Sequence, residues 1–183
     1  MQTTPLTTVR SATPADVHAL ARLLTDSFQP SDAWWQWTQG WVRSGLAQDL
    51  ESRLTRPPAS YRCLVATMSG FLAGTVEVAH RPLPHEWWWL PQVASPQDPL
   101  YISNLAVTPA WRRQGVASSL LQEVEAIARS LCHPRLYLHV MADNIAAVQL
   151  YQRSGYRLER VEKNWPLFNP RPSSKLLMVK VIM

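Results

Sequence analysis

Tyr101-Ile-Ser-Asn-Leu-Ala-Val-Thr-Pro-Ala-Trp-Arg-Arg-Gln-Gly-Val-Ala-Ser-Ser-Leu-Leu121 decides the fold. It opens as a strand, with Ile102, Leu105 and Val107 apolar, and turns at Thr108-Pro109. It then runs through Arg112, Arg113, Gln114, Gly115, Val116 and Ala117 into an amphipathic helix. A loop that opens a helix aims several free backbone N–H groups at one point, beside the positive end of the helix dipole. Such a nest binds phosphate. Gly115 and Ala117 carry little or no side chain, so a pyrophosphate can come close to the backbone, and the arginines add charge.

Working outward, Thr7 to Arg10 reads as a first strand, and Thr13-Pro14-Ala15-Asp16 as a helix start. Val17, Leu20, Ala21 and Leu24 follow at helical spacing. Phe28 to Asp32 breaks that helix. A second helix is expected from Trp34 to Arg53, with an interruption at Gly40, and Pro57-Pro58 ends it. Tyr61 to Thr67 and Phe71 to Ala79 form a hairpin about Ser69-Gly70. Residues 80 to 99 have no clear period; a loop of that length is usually functional.

After the opening strand, Leu100 to Val107, the next helix is expected to bury Val116, Leu120, Leu121, Val124, Ile127 and Leu131. Arg135 to Met141 is a strand in which Leu136, Leu138 and Val140 alternate with Tyr137 and His139. Asn144 to Arg153 is a short helix stopped by Ser154-Gly155, with glycine just past its end. Tyr156 to Val161 and Lys175 to Ile182 complete a sheet. The expectation is one mixed α/β domain over residues 1–183.

The composition narrows the function classes. Apolar residues make up 46% and charged residues 17%, a balance ordinary for a soluble globular chain. No apolar run approaches the roughly 20 residues of a membrane span, and the first residues lack the pattern of a secretory signal. Two cysteines, Cys63 and Cys132, make neither a disulfide framework nor a metal motif, and read as reduced thiols in a cytoplasmic protein. The net charge of +5 is scattered, which favours a charged ligand site over nucleic-acid binding. Of nine tryptophans, seven cluster at 34–41 and 87–89, where they pack the core or wall a substrate groove.

The second informative stretch runs from Tyr137-Leu-His-Val-Met-Ala-Asp-Asn144 through Ala147 and Tyr151 to Gly155-Tyr156. Together the two stretches resemble the GNAT superfamily of acetyl-CoA-dependent N-acetyltransferases. Arg112 to Ala117 matches its pyrophosphate loop, (Gln/Arg)-x-x-Gly-x-(Gly/Ala). Asn144 to Tyr156 matches Asn-x-x-Ala-x-x-x-Tyr-x-x-x-Gly-(Phe/Tyr). The resemblance implies the GNAT fold: a mixed six- or seven-stranded sheet with splayed parallel strands four and five, flanked by about four helices.

It also implies roles. Acetyl-CoA, the acetyl donor, would lie between strands four and five along Leu105, Ala106 and Val107. Its pyrophosphate would rest on Arg112 to Ala117, and Asn144 and Tyr151 would contact its pantetheine side. Leu105 N–H would meet the oxyanion, and Tyr151 would be the acid for the leaving sulfur. The fourth strand has no Asp or Glu, so the base falls to His139 or Tyr101. Both positions look like those of the protein N-terminal acetyltransferases. Phe28 and Pro30 match that group's substrate-lining turn; Trp165 stands where it has tyrosines. The long tryptophan-rich loop resembles the plastid and cyanobacterial branch.

The implied acceptor is a primary amine: a protein N-terminal α-amine, with lysine side chains as a second class. The alternatives are a small arylalkylamine such as serotonin, or a module that binds acetyl-CoA without catalysis. No metal, nucleic acid or membrane partner is expected, and oligomeric state is not legible.

Overall fold

A computed structural model of the chain describes residues 7–27, 35–58, 61–82, 98–163 and 174–182, with backbone alone for 35–44 and 163. Seven strands run in the order β1-β2-β3-β4-β5-β7-β6. They are β1 (Thr8–Ser11), β2 (Arg62–Met68), β3 (Phe71–His80), β4 (Leu100–Val107), β5 (Arg135–Met141), β6 (Arg157–Lys163) and β7 (Ser174–Val181). The helices are α1 (Val17–Ser27), α2 (Trp35–Thr55), α3 (Val116–Ser130) and α4 (Ile145–Arg153). This is the mixed α/β architecture expected from the sequence. The chain forms two compact units, Met1–Val78 with Asn104–Glu123 and Ala79–Ser103 with Val124–Met183.

In the first unit, α1 buries Val17, Leu20, Ala21 and Leu24 as its spacing predicts. Ahead of it, the Asp16 carboxylate accepts hydrogen bonds from Arg10 at 2.7 and 2.8 Å and from the Thr13 N–H at 2.8 Å. The expected interruption of the second helix at Gly40 does not occur: α2 is continuous from Trp35 to Thr55. Each interior glycine, Gly40 and Gly45, costs the helix about 1 kcal/mol, which a helix of this length can offset, whereas Pro57-Pro58 does end it.

β2 and β3 pair antiparallel, with Met68 opposite Phe71. The two residues between them, Ser69 and Gly70, have φ of 50° and 81°, the left-handed pair of a type I′ turn. Further along β3, Gly74 has no room for a side chain. A Cβ there would lie 2.9 Å from the Ala106 carbonyl oxygen of β4, and 3.0 and 3.2 Å from Val116 and Leu120 of α3. That bare backbone lets the start of α3 approach closely.

β3 also carries a buried carboxylate. Glu77 accepts from Arg53 of α2 and from the side-chain amide of Asn104 of β4, each at 3.0 Å. Asn104 has φ of 52°, a left-handed kink inside the strand. Cys63 of β2 is buried, and burial foremost pushes its thiol up to about 11.

In the second unit, β4 pairs parallel with β5 through Leu100–Leu136, Tyr101–Tyr137 and Ile102–Leu138, and the pairing stops there. β5 pairs antiparallel with β7 along its length, and β7 with β6. The second half of α3 buries Val124 and Ala128. Leu131 is a correction to the sequence reading: it lies past the helix end and is 42% exposed. The chain leaves the helix at the turn of Leu131 and Cys132, whose φ is 56°. Cys132 is exposed, and both thiols are free.

Candidate active site

The expected pyrophosphate loop lies in the first unit. Thr108 anchors its start, donating from N–H to the Ala73 carbonyl at 2.9 Å. A turn of 3₁₀ helix, Pro109–Trp111, leads into residues 112–115. Arg113 and Gly115 take left-handed conformations, φ 62° and 83°. Two side chains brace the loop against itself: Arg112 Nε donates to the Val107 carbonyl at 3.1 Å, and Gln114 Nε2 to the Ala110 carbonyl at 3.0 Å. The first α3 bond runs from the Ser119 N–H to the Gly115 carbonyl at 3.0 Å. Among the described residues, the N–H groups from Gln114 to Ser118 have no hydrogen-bond partner.

Those donors stand at a helix start, where the sequence reading expects an anion to be held. Gly115 has nothing within 4 Å of where a Cβ would sit, so the space in front of it is open. Arg112 to Gly115 are exposed, while the Val116 side chain is buried and contributes to the nest through its backbone. Leu105 and Val107 of β4 are half-buried and Ala106 is buried.

The candidate catalytic residues lie in the second unit. Asn144 caps α4: its Oδ1 accepts from the Ala147 N–H at 3.2 Å. At the other end, the Tyr156 N–H donates to the Tyr151 carbonyl and the Gly155 N–H to the Gln152 carbonyl, each at 3.0 Å. This is the Schellman closure, which needs the left-handed Gly155, φ 86°. It gives the Tyr-x-x-x-Gly-Tyr spacing a physical cause, because it folds Tyr156 back onto Tyr151. Tyr151 is 7% exposed, and the buried hydroxyl of Tyr156 beside it has no hydrogen-bond partner among the described residues. Burial first, with the Tyr101 hydroxyl adding, pushes the Tyr151 phenol up to about 12.

Tyr101 and His139, offered by the sequence as alternative bases, are joined. Tyr101 is opposite Tyr137 in the register, and His139 lies two residues further on the same face of β5. The Tyr101 hydroxyl is 2.5 Å from His139 Nδ1. The sequence reading did not include a third member, Glu162 of β6, whose Oε2 is 3.1 Å from His139 Nε2. Arg160 donates to the other oxygen of Glu162 at 2.8 Å. His139 is opposite Leu177 on β7 and Glu162 opposite Lys175, so the three side chains share one face. That alignment depends on a pairing across β7 that local sequence does not encode.

Burial, the largest influence on His139, lowers its proton affinity, and with Lys175 and Arg81 it outweighs the opposing effect of Glu162. Burial also raises Tyr101, and the Arg81 guanidinium, 5.0 Å from its ring centroid, opposes that. Burial would raise Glu162, but the hydrogen bonds from Arg160 and His139 outweigh it and keep it ionised.

Phe28, Pro30 and Trp165 lie outside the described residues, as do Trp34 and Trp87 to Trp89. No described group of three or more His, Cys, Asp or Glu residues could hold a metal ion. No described helix is long and apolar enough to cross a membrane.

An N-acetyltransferase of Bacillus subtilis, YdgE, is 38% identical over 76 residues, covering 41% of this chain and 48% of its own length. The chloroplastic GCN5-related N-acetyltransferase 10 of Arabidopsis thaliana is 29% identical over 142 residues, covering 73% of this chain and 53% of its own. The chain thus spans about half the length of these two relatives. The crystal structure of Arabidopsis thaliana NAA60 in complex with acetyl-CoA has the same fold, with a TM-score of 0.70. It is 22% identical, and the match covers 97% of this chain and 99% of that one. The model of the acetyltransferase (GNAT) family matches residues 17–156, and the chain belongs to that family.

Proposed function

We propose that this chain transfers the acetyl group of acetyl-CoA to the α-amine of a protein or peptide N terminus, in a cytoplasmic compartment. The observation that carries this reading is the 2.5 Å hydrogen bond between Tyr101 and His139. It joins two proton-accepting groups on a sheet face, in a chain whose fourth strand has no carboxylate of its own.

The acceptor class follows from the strength of that base. An α-amine has a pKa of about 8, so about a tenth of it is neutral at pH 7. A lysine, with a pKa of about 10.4, is neutral in less than about a thousandth of molecules. His139 is a weaker base than an ordinary histidine, because it is buried. It suits an amine that is already partly neutral and needs to lose its proton as the bond to carbon forms.

In the direct reaction, the amine nitrogen attacks the thioester carbonyl carbon and a C–N bond forms. The carbonyl electron pair moves to oxygen, where the Leu105 N–H would receive it. The amine proton passes to the Tyr101–His139 pair. Collapse breaks the C–S bond, and Tyr151 donates to the departing sulfur. The nest from Gln114 to Ser118, with Arg112 and Arg113 beside it, would hold the pyrophosphate, and Asn144 with Leu105 to Val107 the pantetheine arm.

The test is mass spectrometry of acetyl-CoA reactions with peptides carrying either a free α-amine or a blocked one plus an internal lysine. Serotonin runs in parallel. Product on the free α-amine is expected. Product on lysine or serotonin alone would overturn the acceptor class, and none on any amine would overturn the activity.

A further inference from the structure

Three groups line up on one face of the second unit: Tyr101 of β4, His139 of β5 and Glu162 of β6. The order of their hydrogen bonds fixes where the protons are. An ionised carboxylate can accept hydrogen bonds and cannot donate them. At 3.1 Å from Glu162 Oε2, His139 Nε2 must therefore carry the N–H. A neutral imidazole has one N–H, so Nδ1 offers its lone pair. The hydroxyl 2.5 Å away must then donate: Tyr101 O–H points its proton at Nδ1.

We propose that Glu162 is a positioning residue that holds His139 in the Nε2–H form, so that the amine proton leaves through the Tyr101 hydroxyl to His139 Nδ1. This rests on the acetyl-transfer reading above. Tyr101 oxygen takes the amine proton as its own proton crosses to Nδ1, so no free phenolate is formed. The imidazolium then faces the Glu162 carboxylate and later releases its proton to solvent. The logic is that of a serine-protease triad, with a tyrosine in place of the serine and acting as base rather than nucleophile.

Arg160 makes the arrangement specific. It donates to Glu162 Oε1 at 2.8 Å and so reserves the other oxygen for the histidine. In Glu162→Gln the guanidinium would keep the amide oxygen and turn the NH₂ toward Nε2. His139 would then have to accept at Nε2 and carry its proton on Nδ1, where Tyr101 needs a lone pair. Among the described residues, the other charged groups that His139 feels, Arg81 beyond β3 and Lys175 of β7, are cations and cannot replace the carboxylate.

The test is ¹⁵N NMR of the imidazole in wild type and Glu162→Gln, together with the pH dependence of kcat. Wild-type His139 is expected to be protonated on Nε2 at neutral pH, and Glu162→Gln on Nδ1. The variant should lose about 100-fold or more in kcat, with KM for acetyl-CoA within about twofold. The acidic limb of its kcat profile should move to lower pH, because the imidazolium has lost its carboxylate. Wild-type protonation on Nδ1, or a variant with unchanged kcat and acidic limb, would overturn the proposal. The NMR measurement needs no acceptor, so failure of every amine substrate would count against the proposed function and leave the Glu162 result standing.

Discussion

Tyr151 and Tyr156 are clasped to each other: a 3.0 Å backbone hydrogen bond closes the turn between them, and their rings meet edge to face at 5.8 Å. The first is therefore oriented by backbone and ring packing, and its hydroxyl is the proposed acid. Tyr151→Phe keeps the clasp and removes the donor. We expect kcat to fall about 100-fold, with acetyl-CoA affinity by calorimetry within about twofold and the melting temperature nearly unchanged. Wild-type turnover would take Tyr151 out of the acid role.

The Tyr101–His139 pair predicts the pH profile. As the proposed base, His139 would act when neutral, and burial lowers its pKa below the ordinary value of about 6.5. Activity at saturating substrate should hold through neutral pH and fall as the pH drops below that value. His139→Ala should lose this acidic limb, and Tyr101→Phe should lower kcat by about 100-fold. A limb that survives His139→Ala would assign the proton to another group.

At the nest, Gly115 has a φ of 83° with open space around it, so an alanine there meets strain and not a clash. Left-handed backbone costs a non-glycine residue about 1–2 kcal/mol. Gly115→Ala should weaken acetyl-CoA binding by about tenfold, read as Kd, while kcat at saturating donor changes less than about twofold. Unchanged Kd would mean that the pyrophosphate is held elsewhere.

Glu77 is a stability prediction. Its carboxylate serves both Arg53 and Asn104, and it is 2% exposed. Glu77→Ala strands the Asn104 amide and leaves Arg53 with Asp49 alone, and should cost about 1–3 kcal/mol in urea unfolding. Glu77→Gln keeps an acceptor for one of them and should cost less. Equal loss in both variants would mean that packing, and not hydrogen bonding, is the cause.

Asp16 sets an acid limit. Hydrogen bonds from Arg10 foremost, then from Thr13, hold its carboxyl down to about 2, against an ordinary value of about 3.9. The folded state thus binds the proton more weakly than the unfolded chain. The resulting stability is present above pH 4 or so and is lost as pH falls toward about 2. Arg10 is 44% exposed, so solvent screening limits the pair to about 1 kcal/mol. Asp16→Asn should unfold earlier than wild type at neutral pH by that amount, and the two should converge in strong acid.

The elements that carry the family motifs were legible because local chemistry defines them. Leu100–Val107 and Arg135–Met141 match their expected bounds, since turn residues punctuate both strands. Asn144 and Gly155 announced α4 from its two ends. Gly40 misled because its cost is small against a long helix, and Leu131 because the apolar spacing of α3 runs on past its last turn. Glu162, Glu77 and Asn104 gave no signal. Glu162 reaches His139 across an intervening strand, and the carboxylate that the Asn104 amide meets lies 27 residues away. Sequence spacing reports neighbours along a helix or strand, and these partners are neighbours across a sheet.

The two thiols differ in a way that an experimenter can use directly. Cys63 is sealed in β2 and holds its proton far above neutral pH, while Cys132 stands exposed on a turn. With no further cysteine in the chain, a maleimide dye or spin label should attach at one position of the unaltered protein. That gives a built-in reporter just past the C-terminal end of α3, the helix whose opposite end is proposed to hold the pyrophosphate.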